Sequence, residues 1–314
     1  MSLPLSDAQR SALVNAFGNR LQQSVPLARL TAARIGGPAD YLLIAKSAHE
    51  LSEMVAHLWA LGIPFVVLGS GSNVLIRDGG VRDVVIFNRA QQIEFHLQDS
   101  PPAVWAESGV NFGRLARQAA QRGLSGLEWA AGIPGTVGGA VYGNAGAHGG
   151  EISTPLQVAE ILHKTEYGIQ RDTWTAERFE FAYRESVLKR SHLEMVVLSA
   201  RFALKPESPE EIQARMNQFT KRRRDTQPAG ASLGSIFKNP PGDYAGRLIE
   251  AAGLKGTRIG GAEISRKHAN FFINDASADA ADVIALIELA RRTVAEKFGV
   301  ELELEIEIIG TEKE

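Results

Sequence analysis

The sequence predicts an α+β protein of more than one domain. Helical and strand-like segments alternate along its length, and helix-capping signals restart at three separate points. The middle of the chain is occupied by a glycine-dense tract that breaks the regular pattern. At 314 residues the chain exceeds the size at which one hydrophobic core usually keeps growing, so two or three domains with a cleft between them are expected.

The first capping signal is Ser6 with Gln9, opening an amphipathic helix through Leu13, Phe17 and Leu21. Ser47 and Glu50 repeat it, followed by Leu51, Met54, Val55, Leu58 and Leu61 at helical spacing and a stop at Gly62. Pro64 to Leu68 then reads as a strand, completing an αβ unit. Val81–Phe87 and Ala103–Ala106 are short β-rich pieces, and a helix is expected from Asn111 to Arg122. Val158–Leu162 and Met195–Leu204 are further strands. Near Pro206 a new unit begins, because Ser208-Pro209-Glu210-Glu211 places a cap, a first-turn proline and a capping-box carboxylate in order. Domains are therefore expected at 1–88, 89–205 and 206–314.

A helix from about Asp279 to Phe298 carries the stripe Val283, Ile284, Ile287, Ala290 and Val294. The tail after it alternates: Val300, Leu302, Leu304, Ile306 and Ile308 on one side, Glu301, Glu303, Glu305 and Glu307 on the other. That is the pattern of a half-buried strand with four glutamates on a solvated face.

Composition excludes several functions. Thirty-four Lys and Arg against 36 Asp and Glu leave a net charge of −2, which offers no broad footprint for nucleic acid or an anionic membrane. With no cysteine there is no disulfide, thiolate catalysis, iron–sulfur ligation or cysteine zinc site, so redox chemistry would need an organic cofactor. The seven histidines show no metal-ligand spacing, and no metal is expected. The first residues lack a continuous apolar run and no later stretch approaches a membrane span, so a cytoplasmic protein without an obligate protein partner is expected.

Ten of the 31 glycines fall between Gly123 and Gly150, a density that ordinary helices and strands do not tolerate. Trp129, Ile133, Val137 and Val141 interleave with them, unlike a flexible linker, so a cofactor lying against the exposed backbone is the expectation. Earlier, Gly69-Ser-Gly-Ser-Asn73 follows a strand but lacks the third glycine of a dinucleotide fingerprint, since position 74 is Val. Val74-Leu75-Ile76 continues as a strand, so the turn is either a plain hairpin or a nest of backbone amides for an anion.

Taken in order, Arg34–Ala39, Leu68–Val74 and Ala131–Gly139 resemble the UDP-N-acetylenolpyruvoylglucosamine reductase family. Tyr183-Arg184, Gly234–Pro240, Ala245–Ile249, Ile259–Gly261 and Glu305–Gly310 extend the resemblance over nearly the whole chain. It implies a two-part FAD-binding domain of the vanillyl-alcohol-oxidase (PCMH) type plus a C-terminal α+β substrate-binding domain. It also implies reduction of UDP-N-acetylglucosamine enolpyruvate by NADPH through FAD, in peptidoglycan synthesis. Other FAD oxidases of this broad fold, and a non-catalytic flavin or UDP-sugar binder, are the alternatives.

By the resemblance, Gly69, Ser70, Gly71, Ser72, Asn73, Gly132, Ile133, Gly135, Thr136, Gly138 and Gly139 hold FAD. Arg184 becomes the carboxylate-stabilising cation, Glu305 a second stabiliser or acid, and Ser235 the proton donor, with Lys238 available to assist it. Tyr183, Gln227, Lys238, Asn239 and His268 are the substrate-binding candidates. Two features stand apart. Many relatives carry a basic residue where this chain has Glu307, and the interval from Arg184 to Ser235 contains no tyrosine, as in the shorter variant without a tyrosine-bearing lid. The run Lys221–Arg224 closes a helix, either solvated or against a diphosphate.

Overall fold

Helix α1 (Asp7–Phe17) starts at a completed capping box: the Gln9 amide donates to the Ser6 hydroxyl and the Gln9 side chain accepts from the Ser6 amide. Its Leu13 and Phe17 are buried with Leu51, Met54, Val55 and Leu58 of α2 (Ala48–Ala60), the apolar stripe that helical spacing requires. The computed structural model describes residues 4–191, 193–275 and 277–313. In it these two helices share a core with Leu43, Val84 and Ile86 of a four-stranded sheet. Its strand order is Gln22–Pro26, Pro38–Ala45, Val81–Asn88, Phe65–Leu68, the last three mutually parallel and the first an antiparallel edge.

Val74–Ile76 is a strand, but it forms no hairpin with Phe65–Leu68. It pairs in parallel with Glu307–Ile309, from the other end of the chain. The loop 69–73 therefore carries the chain out of one sheet and into another.

A second sheet is antiparallel, ordered Gly168–Thr175, Leu156–Thr165, Met195–Ala203, Ala103–Glu107, Ile93–His96. Against it lies α3 (Phe112–Ala120), whose Asn111 cap accepts from the Arg114 amide and which ends two residues before Arg122. Phe112 and Leu115 share a core with Trp129, Val137 and Phe202.

The glycine tract is not devoid of helix: α4 (Val137–Tyr142) contains Gly138 and Gly139, with Thr136 as its cap. The physical reason is close approach. A Cβ on Gly138 would stand 2.9 Å from Ser108 Cβ, and burial of Val137 and Val141 offsets the poor propensity of two glycines.

After the short α5 (Val187–Ser191), α6 (Pro209–Thr226) is capped by Ser208. It buries Ile212 and Met216 against Ala120 and Ala131, so this helix lies on the second sheet's layer. Arg215 fixes it there, donating to the buried Glu128 at 2.7 Å and to Glu207.

The third sheet is antiparallel, ordered Ala231–Ser235, Phe271–Asn274, Ala262–Ile264, Arg258–Ile259. It shares a core with α7 (Ala245–Ala251) and α8 (Ala280–Phe298) through Leu233, Phe272, Leu248, Leu286 and Ile287. The first unit contributes to the start of α8: Asp78 accepts from the amides of Ala280 and Ala281 at 2.8 and 3.0 Å.

The tail departs from the expected single strand, since only Glu307–Ile309 is one. Before it, Lys238 N donates to Glu303 O and Glu305 N to Ile236 O, each at 2.8 Å. Glu307 N then turns to Asn73 O at 2.9 Å. Alternation sets which side chains are buried, Leu302 and Ile306 among them, but a regular ladder needs one continuous neighbour. Here the neighbour changes from the third unit to the first.

Candidate active site

A cavity of about 1530 Å³ lies where the three units meet. Both glycine loops line it, including Gly69, Ser70, Gly71, Ser72 and Asn73, then Ile133, Gly135, Thr136, Gly138 and Gly139. Gly132 alone of the expected cofactor set does not. The loops abut: a Cβ at Gly69 would come within 2.6 Å of Thr136 Oγ1, and one at Gly135 within 3.4 Å of Ser72 Oγ. Gly71 has φ +56° and Gly135 φ +136°, conformations that L side chains rarely adopt. The resulting wall is backbone and hydroxyls with no acidic side chain, which fits a dinucleotide's diphosphate.

Arg184, Glu305 and Ser235 reach this cavity from three different stretches of chain. Ser235 ends its strand at a register shift against 271–274, next to Gly234 with φ +77°, an irregularity that re-aims the serine. Arg184 has φ +59°, an uncommon conformation for a residue with a side chain, held by the turn in which Ala182 and Glu185 exchange backbone bonds. Its Nε donates to Glu305 Oε1 at 2.9 Å and its Nη2 to Gly146 O at 2.6 Å. Burial pushes the Glu305 carboxyl above its usual pKa, against the opposing pull of Arg184.

The glutamates of the tail form a solvated face only in part. Glu301 is exposed and Glu303 is 69% exposed although it bonds Lys238, whereas Glu305 bonds Arg184 in the cavity wall and Glu307 Oε1 lies 3.0 Å from Lys189 Nζ. Each of the last three lies close to another segment's cation because the tail crosses a unit boundary here.

Lys238 is not free to assist Ser235. It is buried and held by Glu185 Oε1 at 2.6 Å and by Glu303. Burial alone would lower its pKa, but the two carboxylates outweigh that and raise it. Of the other substrate candidates, Gln227 lines the large cavity at the end of α6. Asn239 and His268 instead line a smaller hollow of about 340 Å³, to which Ser235 also contributes. There Asn239 Oδ1 accepts from the Ala245 amide at 3.1 Å, and burial, with Lys255 nearby, lowers the His268 pKa. Tyr183 is 48% exposed and outside both linings, its ring 5.1 Å from the Arg184 guanidinium carbon.

Sequence reasoning missed several lining residues. Lys189 also donates to Glu305 O at 3.2 Å, and nothing in its sequence context marks it. Tyr142, pushed up to about 12 by burial and by Glu307, was hidden among glycines. Arg222 and Arg223 line the cavity, so the basic run is not simply a solvated helix end.

Residues 39–162 match the family described as FAD binding domain, and residues 226–309 the family described as UDP-N-acetylenolpyruvoylglucosamine reductase, C-terminal domain. The chain is 45% identical to the UDP-N-acetylenolpyruvoylglucosamine reductase of Chloroflexus aggregans over 92% of its length and 97% of that protein. It is 43% identical to that of Geobacillus kaustophilus over 96% of its length and 97% of that protein. The crystal structure of the Thermus caldophilus reductase superposes with a TM-score of 0.76 at 38% identity, covering 93% of this chain and 99% of that one. The two glycine loops that wall the cavity, the α+β domain that closes it and full-length similarity of this order agree: the chain belongs to the UDP-N-acetylenolpyruvoylglucosamine reductase family.

Proposed function

We propose that the protein reduces the enolpyruvyl group of UDP-N-acetylglucosamine enolpyruvate to give UDP-N-acetylmuramate, with FAD as resident carrier and NADPH as electron donor. The observation that carries this reading is the convergence of Arg184, Glu305 and Ser235 on one cavity walled by both glycine loops. No helix among the described residues is long and apolar enough to cross a membrane, and we place the reaction in the cytoplasm, supplying peptidoglycan synthesis and so cell shape and division.

When bound, FAD supplies a two-electron carrier that takes hydride from NADPH and returns it to the methylene carbon of the enolpyruvyl group. The chain's own residues stabilise and protonate the substrate once it is reduced. Hydride addition leaves negative charge on the neighbouring carbon, delocalised into the substrate carboxylate, and a fixed cation beside that carboxylate lowers the barrier. Arg184 meets this need, because Glu305 and Gly146 O fix its Nε and Nη2 before substrate arrives and so set the plane of the guanidinium. Glu305 orients the arginine, and its burial keeps water from weakening the pair. Ser235, at the irregular strand end, delivers the proton to the carbon that has become electron-rich.

The test is Ser235→Ala under anaerobic conditions. Bleaching of the flavin by NADPH is expected to keep its wild-type rate, while colour recovery with the enolpyruvyl sugar slows by about 100-fold or more. Equal rates of recovery would remove Ser235 from the reaction.

A further inference from the structure

Five side chains bearing a fixed cation line the large cavity: Lys164, Arg184, Lys189, Arg222 and Arg223. Three have a carboxylate within 4 Å, Glu194 for Lys164 at 3.7 Å, Glu305 for Arg184 and Glu307 for Lys189. Among the described residues Arg222 and Arg223 have none. Arg223 is nevertheless half-buried, and burial disfavours its charge. A desolvated cation without a counter-charge is costly unless a ligand supplies one.

The neighbourhood is built around this pair. Gly132, with φ +78°, packs beside the Arg223 side chain, so that a Cβ there would lie in van der Waals contact, 3.6 Å from Arg223 Cδ. His148, at φ +55°, stacks on Phe219 of α6 with ring centroids 4.6 Å apart and planes 8° from parallel. Its Nε2 is buried without a hydrogen-bond partner, although His148 lines the cavity. Its pKa is lowered by burial and by Arg223 and Arg222, so the ring adds a neutral polar nitrogen beside two cations. Arg223 lies in the last turn of α6, where the helix carbonyls favour positive charge, and Arg222 immediately before it.

We infer that Arg222 and Arg223, with His148 Nε2 beside them, form a diphosphate-binding wall of the cavity. Bidentate guanidinium contacts suit phosphate oxygens, and Gly135, whose backbone N–H is a further donor, lines the same cavity. Two ligands of the proposed reaction carry this chemistry, FAD and the UDP-sugar, so the inference rests on that reading for its candidates.

Two measurements on the purified holoprotein separate them, and neither needs turnover. The first is the rate of FAD release on dilution, followed by flavin fluorescence. The second is the affinity for UDP, followed by the perturbation of flavin absorbance. Losing a charged hydrogen-bonding partner predicts a change of about 10- to 100-fold in one of the two for Arg223→Met, with Arg223→Lys recovering part of it. Faster FAD release identifies the flavin's diphosphate; weaker UDP binding with unchanged FAD release identifies the nucleotide sugar. Unchanged values for both in the double variant R222Q/R223M overturn the inference. So does equal damage by Arg223→Lys and Arg223→Met together with a lowered melting temperature, which would show that packing and not charge is at stake.

Discussion

At the scale of single residues, the proposed chemistry depends on how Glu305 is held. Its side chain is 20% exposed, it faces Arg184 at 2.9 Å, and its main-chain oxygen accepts from both Lys189 and Asn73. Glu305→Gln should lower kcat by about 100-fold or more while changing KM little, since the lost interaction serves the transition state. Because burial raises the Glu305 pKa above 4.5, falling pH neutralises it earlier than an exposed glutamate, and the acid side of the kcat profile should show an inflection above pH 4.5. That inflection should vanish in Glu305→Gln; its persistence would assign the titration to another group. The sequence alone left Glu305 indistinguishable from Glu303 and Glu307 by periodicity, and only its place in Glu305–Gly310 singled it out. What separates the three is which cation each meets, and those cations come from positions 184, 189 and 238, which no local pattern links to the tail.

At the scale of elements, helix starts were legible because capping is local: Ser6, Ser47 and Ser208, the three capping signals of the sequence, each accept from the amide three residues on. Helix α4 was not, because its glycines are explained by what they touch. Gly138→Ala would drive a methyl to 2.9 Å from Ser108 Cβ and 3.2 Å from Ser108 O, and should cost about 1–3 kcal/mol in a denaturant melt. Helix α6 was found in sequence, but its attachment through the Arg215–Glu128 pair was not. Burial opposes ionisation of Glu128, yet hydrogen bonds from Arg215 and the backbone outweigh it, so its pKa lies below 4.5. The stabilisation from the pair is therefore complete above pH 4.5 and is lost as pH falls through the lowered folded value. Arg215→Met should destabilise the protein by about 1–3 kcal/mol at neutral pH and by less in acid. A loss independent of pH would mean that Arg215 acts through packing.

At the scale of the molecule, the cavity exists because the chain end returns to its beginning. The pairing of Glu307–Ile309 with Val74–Ile76 and the capping of α8 by Asp78 join the first and third units on either side of the loop 69–73. Asp78→Ala should cost about 1 kcal/mol, the usual value of a lost helix cap, and an unchanged urea midpoint would show that solvent replaces it. These joints were invisible in the sequence, since a parallel pairing across more than 230 residues leaves no local trace. The central claim is that the joined cavity runs both halves of one reduction. The most direct measurement is an anaerobic absorbance record of the yellow protein on adding NADPH and then UDP-N-acetylglucosamine enolpyruvate. Bleaching and then recovery of the oxidised flavin spectrum is the predicted result; bleaching that the enolpyruvyl sugar does not reverse, or a protein that binds no FAD, would contradict it.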